Sequence, residues 1–242
     1  MTGVASVASV SLLACSGTEA STFKNEVDAE PPRGPDPDIA FEQDAGPDDG
    51  GVCAPSSVTG FVPKYKAPAA PNLTACTQPQ LDGYYAACLQ APLDDKKCAD
   101  YKKTIGACGT CLDTSDTDPA FGAVVWHDSD KYFTVNIPGC IAIKSKDTGT
   151  TGCGATYEAL LQCRRASCET CLSGPAASFK KFADCQKAAG STTCEDYYKK
   201  ETSACTTLST GTPADVCIPP SGSSLKDAFN RIAPIFCGPQ QG

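Results

Sequence analysis

Histidine, tryptophan and methionine each occur once in 242 residues. A lone His127 excludes any metal or catalytic site built on several imidazoles. Large aliphatic residues are thin as well. Over 53–242, Leu, Ile, Val and Phe make up 30 of 190 residues, about 16%. Below roughly 20% of these four, a chain struggles to bury enough apolar surface to offset its conformational entropy. No apolar run approaches the roughly 20 residues that a membrane-spanning helix needs. No Gly-x-Ser-x-Gly elbow occurs, and no βαβ pattern supports a thioredoxin-like fold.

Cysteine is what the chain has in excess: 17 residues, about 7% of the whole, and all but Cys15 lie from Cys53 onward. Setting Cys15 aside leaves an even number, Cys53, Cys76, Cys88, Cys98, Cys108, Cys111, Cys140, Cys153, Cys163, Cys168, Cys171, Cys185, Cys194, Cys205, Cys217 and Cys237, all of which can pair. Each bridge contributes on the order of 2–4 kcal/mol by restricting the unfolded chain. The thin core and the abundant cysteine therefore explain each other. Such bridges imply an oxidising compartment.

The formal charge of −8 belongs entirely to residues 1–52, which hold ten acids and two bases, whereas 53–242 has 18 of each. A neutral domain behind an acidic leader offers no electrostatic footprint for nucleic acid. Residues 1–14 carry a short apolar run, Val4 to Leu13, of the length of a signal-peptide core. Leu12-Leu13-Ala14-Cys15-Ser16 resembles the bacterial lipobox, which implies cleavage before Cys15, lipidation of Cys15 and attachment to a membrane through that lipid. Ser16 after the cysteine implies sorting to the outer membrane or cell surface. Met1-Thr2-Gly3 departs from the pattern in lacking Lys or Arg, which places the true translation start elsewhere as an alternative. Residues 15–52, rich in Pro, Gly and Asp, read as a disordered acidic stalk.

The remaining 53–242 read as one cysteine-rich domain with possible halves 53–150 and 151–242. Cys88, Cys98, Tyr101 and Cys108 are echoed by Cys185, Cys194, Tyr197 and Cys205, and Cys108-Gly-Thr-Cys111-Leu112 by Cys168-Glu-Thr-Cys171-Leu172. Cys98, Tyr101, Ile105, Cys108 and Leu112 fall on one helical face, as do Tyr157, Leu160, Leu161, Arg164 and Cys168. Asp94 and Thr192 are candidate N-caps. Leu225–Ile232 reads as an amphipathic helix after Ser223-Ser224, stopping near Pro234. Between the halves, Ala123–Trp126 and Tyr132–Val135 flank a His127-Asp128-Ser129-Asp130 turn and predict a hairpin, with Ile137–Ile143 as a possible third strand. The fold expected is mainly α: a disulfide-stapled helical bundle with a small central β-hairpin or three-stranded sheet.

The lipobox, the Asp44-Ala45-Gly46-Pro47-Asp48-Asp49-Gly50-Gly51 tether, the Cys-x-Thr-Cys-Leu steps and Asn136-Ile137-Pro138-Gly139-Cys140 resemble those of cysteine-rich surface lipoproteins of the myxobacterial type. That resemblance implies an envelope location and supplies no activity to carry over.

Three chemical sites are conceivable. The two Cys-x-x-Cys pairs have a spacing usable by zinc or by a redox dithiol, but structural bridges to neighbouring helices are the expectation. His127 with Asp128 could act as a general base with its orienting carboxylate, giving a hydrolase. A His-Asp pair in a disulfide-rich helical protein is similar to that of secreted phospholipase A2. There the pair sits on a long helix beside cysteines; here it falls at a turn, where an exposed histidine is expected. Asp113, Asp116 and Asp118 could surround calcium, although the loop lacks the Gly and terminal Glu of an EF-hand. Trp126, Tyr132 and Phe133 could present an aromatic platform, or else pack onto helices. No cofactor is expected. The function expected is non-catalytic: envelope structure, adhesion, or binding of a protein or glycan.

Overall fold

The computed structural model describes residues 53–90, 94–127, 132–172, 179–206, 212, 214–220 and 223–239, all within the compact unit Gly34–Gly242. The lipobox, the stalk and Asp128 lie outside the described residues. The domain is mainly helical with a small three-stranded sheet.

Helix α1 (Gln78–Tyr84) starts at a capping box between Thr77 and Gln80 and runs on as a π-helical turn, Tyr85–Leu89. Asp94 caps α2 (Asp95–Ile105), its side chain accepting from the Lys97 N–H. The single face predicted from Cys98 to Leu112 is buried except for half-buried Tyr101, yet two helices carry it. Gly106, at φ 48°, ends α2 and opens α3 (Ala107–Leu112). Only glycine takes that backbone freely.

The sheet has the order β1-β2-β3, with β1 (Asp113–Ser115) parallel to β2 (Val124–His127) and β2 antiparallel to β3 (Tyr132–Val135). Its third strand therefore comes from the aspartate-rich stretch, and Ile137–Ile143 is instead part of helix α4 (Ile137–Ser145). Asn136 accepts the Gly139 N–H and Pro138 sits in the first turn, a combination that starts helices. The run is apolar throughout because α4 is buried nearly all round.

Helix α5 (Cys153–Cys168) is the spine of the second part, packed by α4, α6 (Phe179–Gly190) and α7 (Glu195–Ala204). Cys194 rather than Thr192 occupies the N-cap of α7. Helix α8 (Leu225–Cys237) begins at a Ser224–Asp227 capping box and passes through Pro234 to Cys237, further than the proline alone suggests. Its final turn is buried and tied at Cys237 to Cys111.

Two cores result. The first gathers α1–α4, the sheet and α8 around Tyr84 and Phe229, whose rings stack at 5.9 Å. The second lies between α5, α6 and α7. Eight disulfides cross-link the domain and use every cysteine from Cys53 on. Cys76–Cys108, Cys88–Cys98, Cys111–Cys237, Cys140–Cys217 and Cys153–Cys205 surround the first core. Cys53–Cys171, Cys163–Cys194 and Cys168–Cys185 surround the second. Cys153–Cys205 and Cys163–Cys194 staple α7 alongside α5 at both ends. The echoed spacings do not carry echoed connectivity: Cys88 pairs with Cys98, whereas their counterparts Cys185 and Cys194 pair with Cys168 and Cys163.

Candidate functional site around His127

Residues directly opposite on antiparallel strands share a face. The register Val125↔Thr134 and His127↔Tyr132 therefore sets these four side chains on one face of the sheet, and Trp126↔Phe133 puts the two aromatics on the other. His127 is the last residue of β2 and only 8% exposed. It is a core histidine, contrary to the expected exposed turn residue. Its ring stacks on Tyr132 at 4.9 Å, and the Arg165 guanidinium of α5 covers that tyrosine at 5.5 Å.

Both ring nitrogens have neighbours. Nε2 lies 2.9 Å from Thr134 Oγ1, and Nδ1 lies 3.5 Å from Arg165 Nη1 and 3.9 Å from Asp116 Oδ2. Burial first, then the Arg165 charge, pushes the His127 pKa down to about 3; Asp116 opposes this and Lys66 adds to it. The ring is thus neutral at neutral pH. A guanidinium can only donate, so Nδ1 is the acceptor and the proton sits on Nε2, donated to Thr134. Thr134, Arg165 and Glu158 escaped the sequence reading, and Asp116 entered it as a calcium candidate rather than as a neighbour of His127. The Thr134 partnership follows from hairpin register, but the approach of α5 leaves no local trace.

A cavity of about 30 Å³ lies here, lined among others by His127, Thr134, Phe121, Glu158, Leu161 and Arg165. It admits a water molecule or so and no acyl or glycosyl group. Glu158 is held by Gln162 at 2.8 Å, and burial raises its carboxyl pKa against the lowering effects of Gln162 and Arg165. Among the described residues, the His127 tautomer points a proton, not a lone pair, at the Thr134 hydroxyl, and the cavity beside the ring has no room for a substrate; Asp128, the carboxylate expected to orient the ring, lies outside the described residues.

The three aspartates do not converge. Asp113 Oδ1 accepts from the Tyr84 hydroxyl and the Trp126 indole, each at 2.5 Å, and Oδ2 pairs with Lys102. Asp118 Oδ2 accepts the Ser115 N–H at 2.8 Å, and Asp116 faces His127. With these oxygens engaged apart from one another, the stretch forms a strand and its turn. Trp126 and Phe133 pack together at 5.0 Å against the first core, and so form no open platform.

The Cys-x-x-Cys pairs do not meet in a four-sulfur zinc site. Cys108 and Cys111 reach to Cys76 and Cys237, and Cys168 and Cys171 to Cys185 and Cys53. Among the described residues, one set of ligand atoms is close enough together for a metal, Cys53, Cys171 and Cys185, and all three sulfurs are in disulfides. No family model, no curated protein and no solved structure matches the chain.

Proposed function

We propose that the chain is an exported envelope lipoprotein, anchored through Cys15, that displays a non-catalytic, disulfide-braced domain for structure, adhesion or binding of a protein or glycan. The observation that carries the reading is the pairing of all sixteen domain cysteines, several over long separations. Bridges of this kind persist outside the reducing cytosol. The lipobox-like Leu12-Leu13-Ala14-Cys15 supplies the route there, and the acidic, proline-rich 15–52 supplies a spacer. Among the described residues no helix is long and apolar enough to cross a membrane, so the lipid is the attachment this reading relies on. The enclosed His127 cluster supports a domain that acts by its surface.

Intact mass of the native protein, before and after reduction and alkylation, tests the proposal. It predicts eight bridges, no free thiol, an N-terminus at Cys15 and added acyl mass. Free thiols in the native protein, or an unmodified N-terminus upstream of Cys15, would overturn it. Turnover of lipase, esterase or protease substrates that is lost in His127→Ala would overturn its non-catalytic part.

A further inference from the structure

Two bridges lie side by side in the second core. Cys53–Cys171 ties the segment before Ser56 to the turn that ends α5, and Cys168–Cys185 ties α5 to α6. The Sγ atoms of Cys53, Cys171 and Cys185 all lie within 4.8 Å of one another. Fourteen of the sixteen domain cysteines are buried; only Cys53 and Cys111 are half-buried. The Cys111–Cys237 bridge has no third cysteine sulfur grouped with it among the described residues. Among the described residues, Cys53–Cys171 alone joins a half-buried cysteine to a neighbouring disulfide.

We propose that Cys53, Cys168, Cys171 and Cys185 form a thiol–disulfide exchange site whose co-substrate is an external dithiol, and that exchange hands the α5–α6 link from Cys168 to Cys171. A donor thiolate attacks Sγ of Cys53, the half-buried partner in its bridge; a donor–Cys53 bond forms, and Cys171 leaves as thiolate. Cys171 Sγ attacks Cys185 Sγ beside it, forming Cys171–Cys185 and expelling Cys168, which takes a proton. The second donor thiol then closes on the first, expelling Cys53, which takes the other proton. The donor is oxidised by two electrons to its disulfide. The protein exchanges two bridges for one bridge and two thiols. Segment 53–62 then keeps only its weaker ties, such as the hydrogen bonds between Ser56 and Ser167, while α5 and α6 remain covalently joined.

The full oxidised protein, treated with limiting dithiothreitol, acid-quenched, alkylated in denaturant and peptide-mapped, reads the result. Label is expected on Cys53 and Cys168 in equal amounts, together with a Cys171–Cys185 cross-linked peptide, while the near-ultraviolet dichroism is still native. The Cys111–Cys237 bridge serves as the internal comparison and opens to its own two thiols. Label on Cys53 and Cys171 with Cys168–Cys185 intact would overturn the proposal, as would a Cys53 that stays unlabelled until the domain unfolds. A Cys53→Ser chain gives a second route: Cys171–Cys185 with Cys168 free is expected, and Cys168–Cys185 with Cys171 free counts against exchange.

Discussion

Trp126 donates its indole N–H to Asp113 Oδ1 at 2.5 Å, and the same carboxylate takes the Tyr84 hydroxyl and the Lys102 ammonium. One aspartate thereby joins α1, α2 and two strands. Tyr84 is fully buried, and burial together with the Asp113 charge holds its hydroxyl well above the ordinary tyrosine value. Asp113→Ala should cost about 2–4 kcal/mol, because two donors lose their acceptor and the partly exposed Lys102 recovers only some hydration. Urea midpoints give the cost; a change under 0.5 kcal/mol, taken as roughly the noise of surface substitutions, would refute it. Thermal melts should be unmoved by calcium or by EDTA.

His127 makes stability depend on pH. Its folded pKa of about 3 lies below the ordinary 6.5. Between these values the unfolded chain binds a proton that the folded chain refuses, so stability falls as the pH drops from about 6.5 and levels off below about 3. The full effect is at most about 5 kcal/mol. His127→Gln should remove it, so the wild-type minus variant stability difference should slope between pH 6.5 and 3 and be flat above 7. A parallel pair of curves would contradict the buried neutral ring.

Bridge deletions should rank by loop length. Cys88–Cys98 closes a separation of 10 and Cys111–Cys237 one of 126, although Cys140–Cys217 shortens the second loop in the cross-linked chain. Removing the first pair as a double alanine variant should cost about 2.5–3 kcal/mol and the second about 4 kcal/mol. Denaturation without reductant checks the order, and a reversed ranking would mean that packing rather than chain entropy sets the cost.

Helices α4 and α5 touch through a glycine. A Cβ on Gly154 would sit 2.5 Å from the Pro138 carbonyl oxygen and 2.8 Å from Ala142 Cβ. A backbone oxygen cannot rotate away, so the clash outweighs the roughly 0.5–1 kcal/mol that alanine gains in a helix interior. Gly154→Ala should lower stability by about 1–3 kcal/mol. An unchanged or raised melting temperature would show that α4 can slide.

Features written within a few residues were legible. Asp94 and Ser224 cap as their chemistry dictates, and β2 and β3 follow from alternation and aromatic content. Asn136 with Pro138 already carried a helix-start signature, but the apolar run after it hid the period because α4 is buried nearly all round. Strand β1 had no signature of its own: Asp113–Ser115 extends because β2 offers it a partner and Tyr84, Trp126 and Lys102 engage its first carboxylate. The environment of His127 was out of reach for a related reason, since Arg165 arrives from 38 residues away on α5. Bridge connectivity is likewise a product of helix docking, and the repeated spacings pair differently because α2 folds back on the π-helical turn while α6 and α7 fold onto α5.

The Cys53–Cys171 bridge also has a mechanical meaning. Tension arriving at Cys53 passes through sulfur directly to the foot of α5, and the stretch of chain between the two cysteines, which spans a separation of 118, is spared the load. Force applied at Cys53 and taken up by α5 to α7 would bypass the sheet and the first four helices.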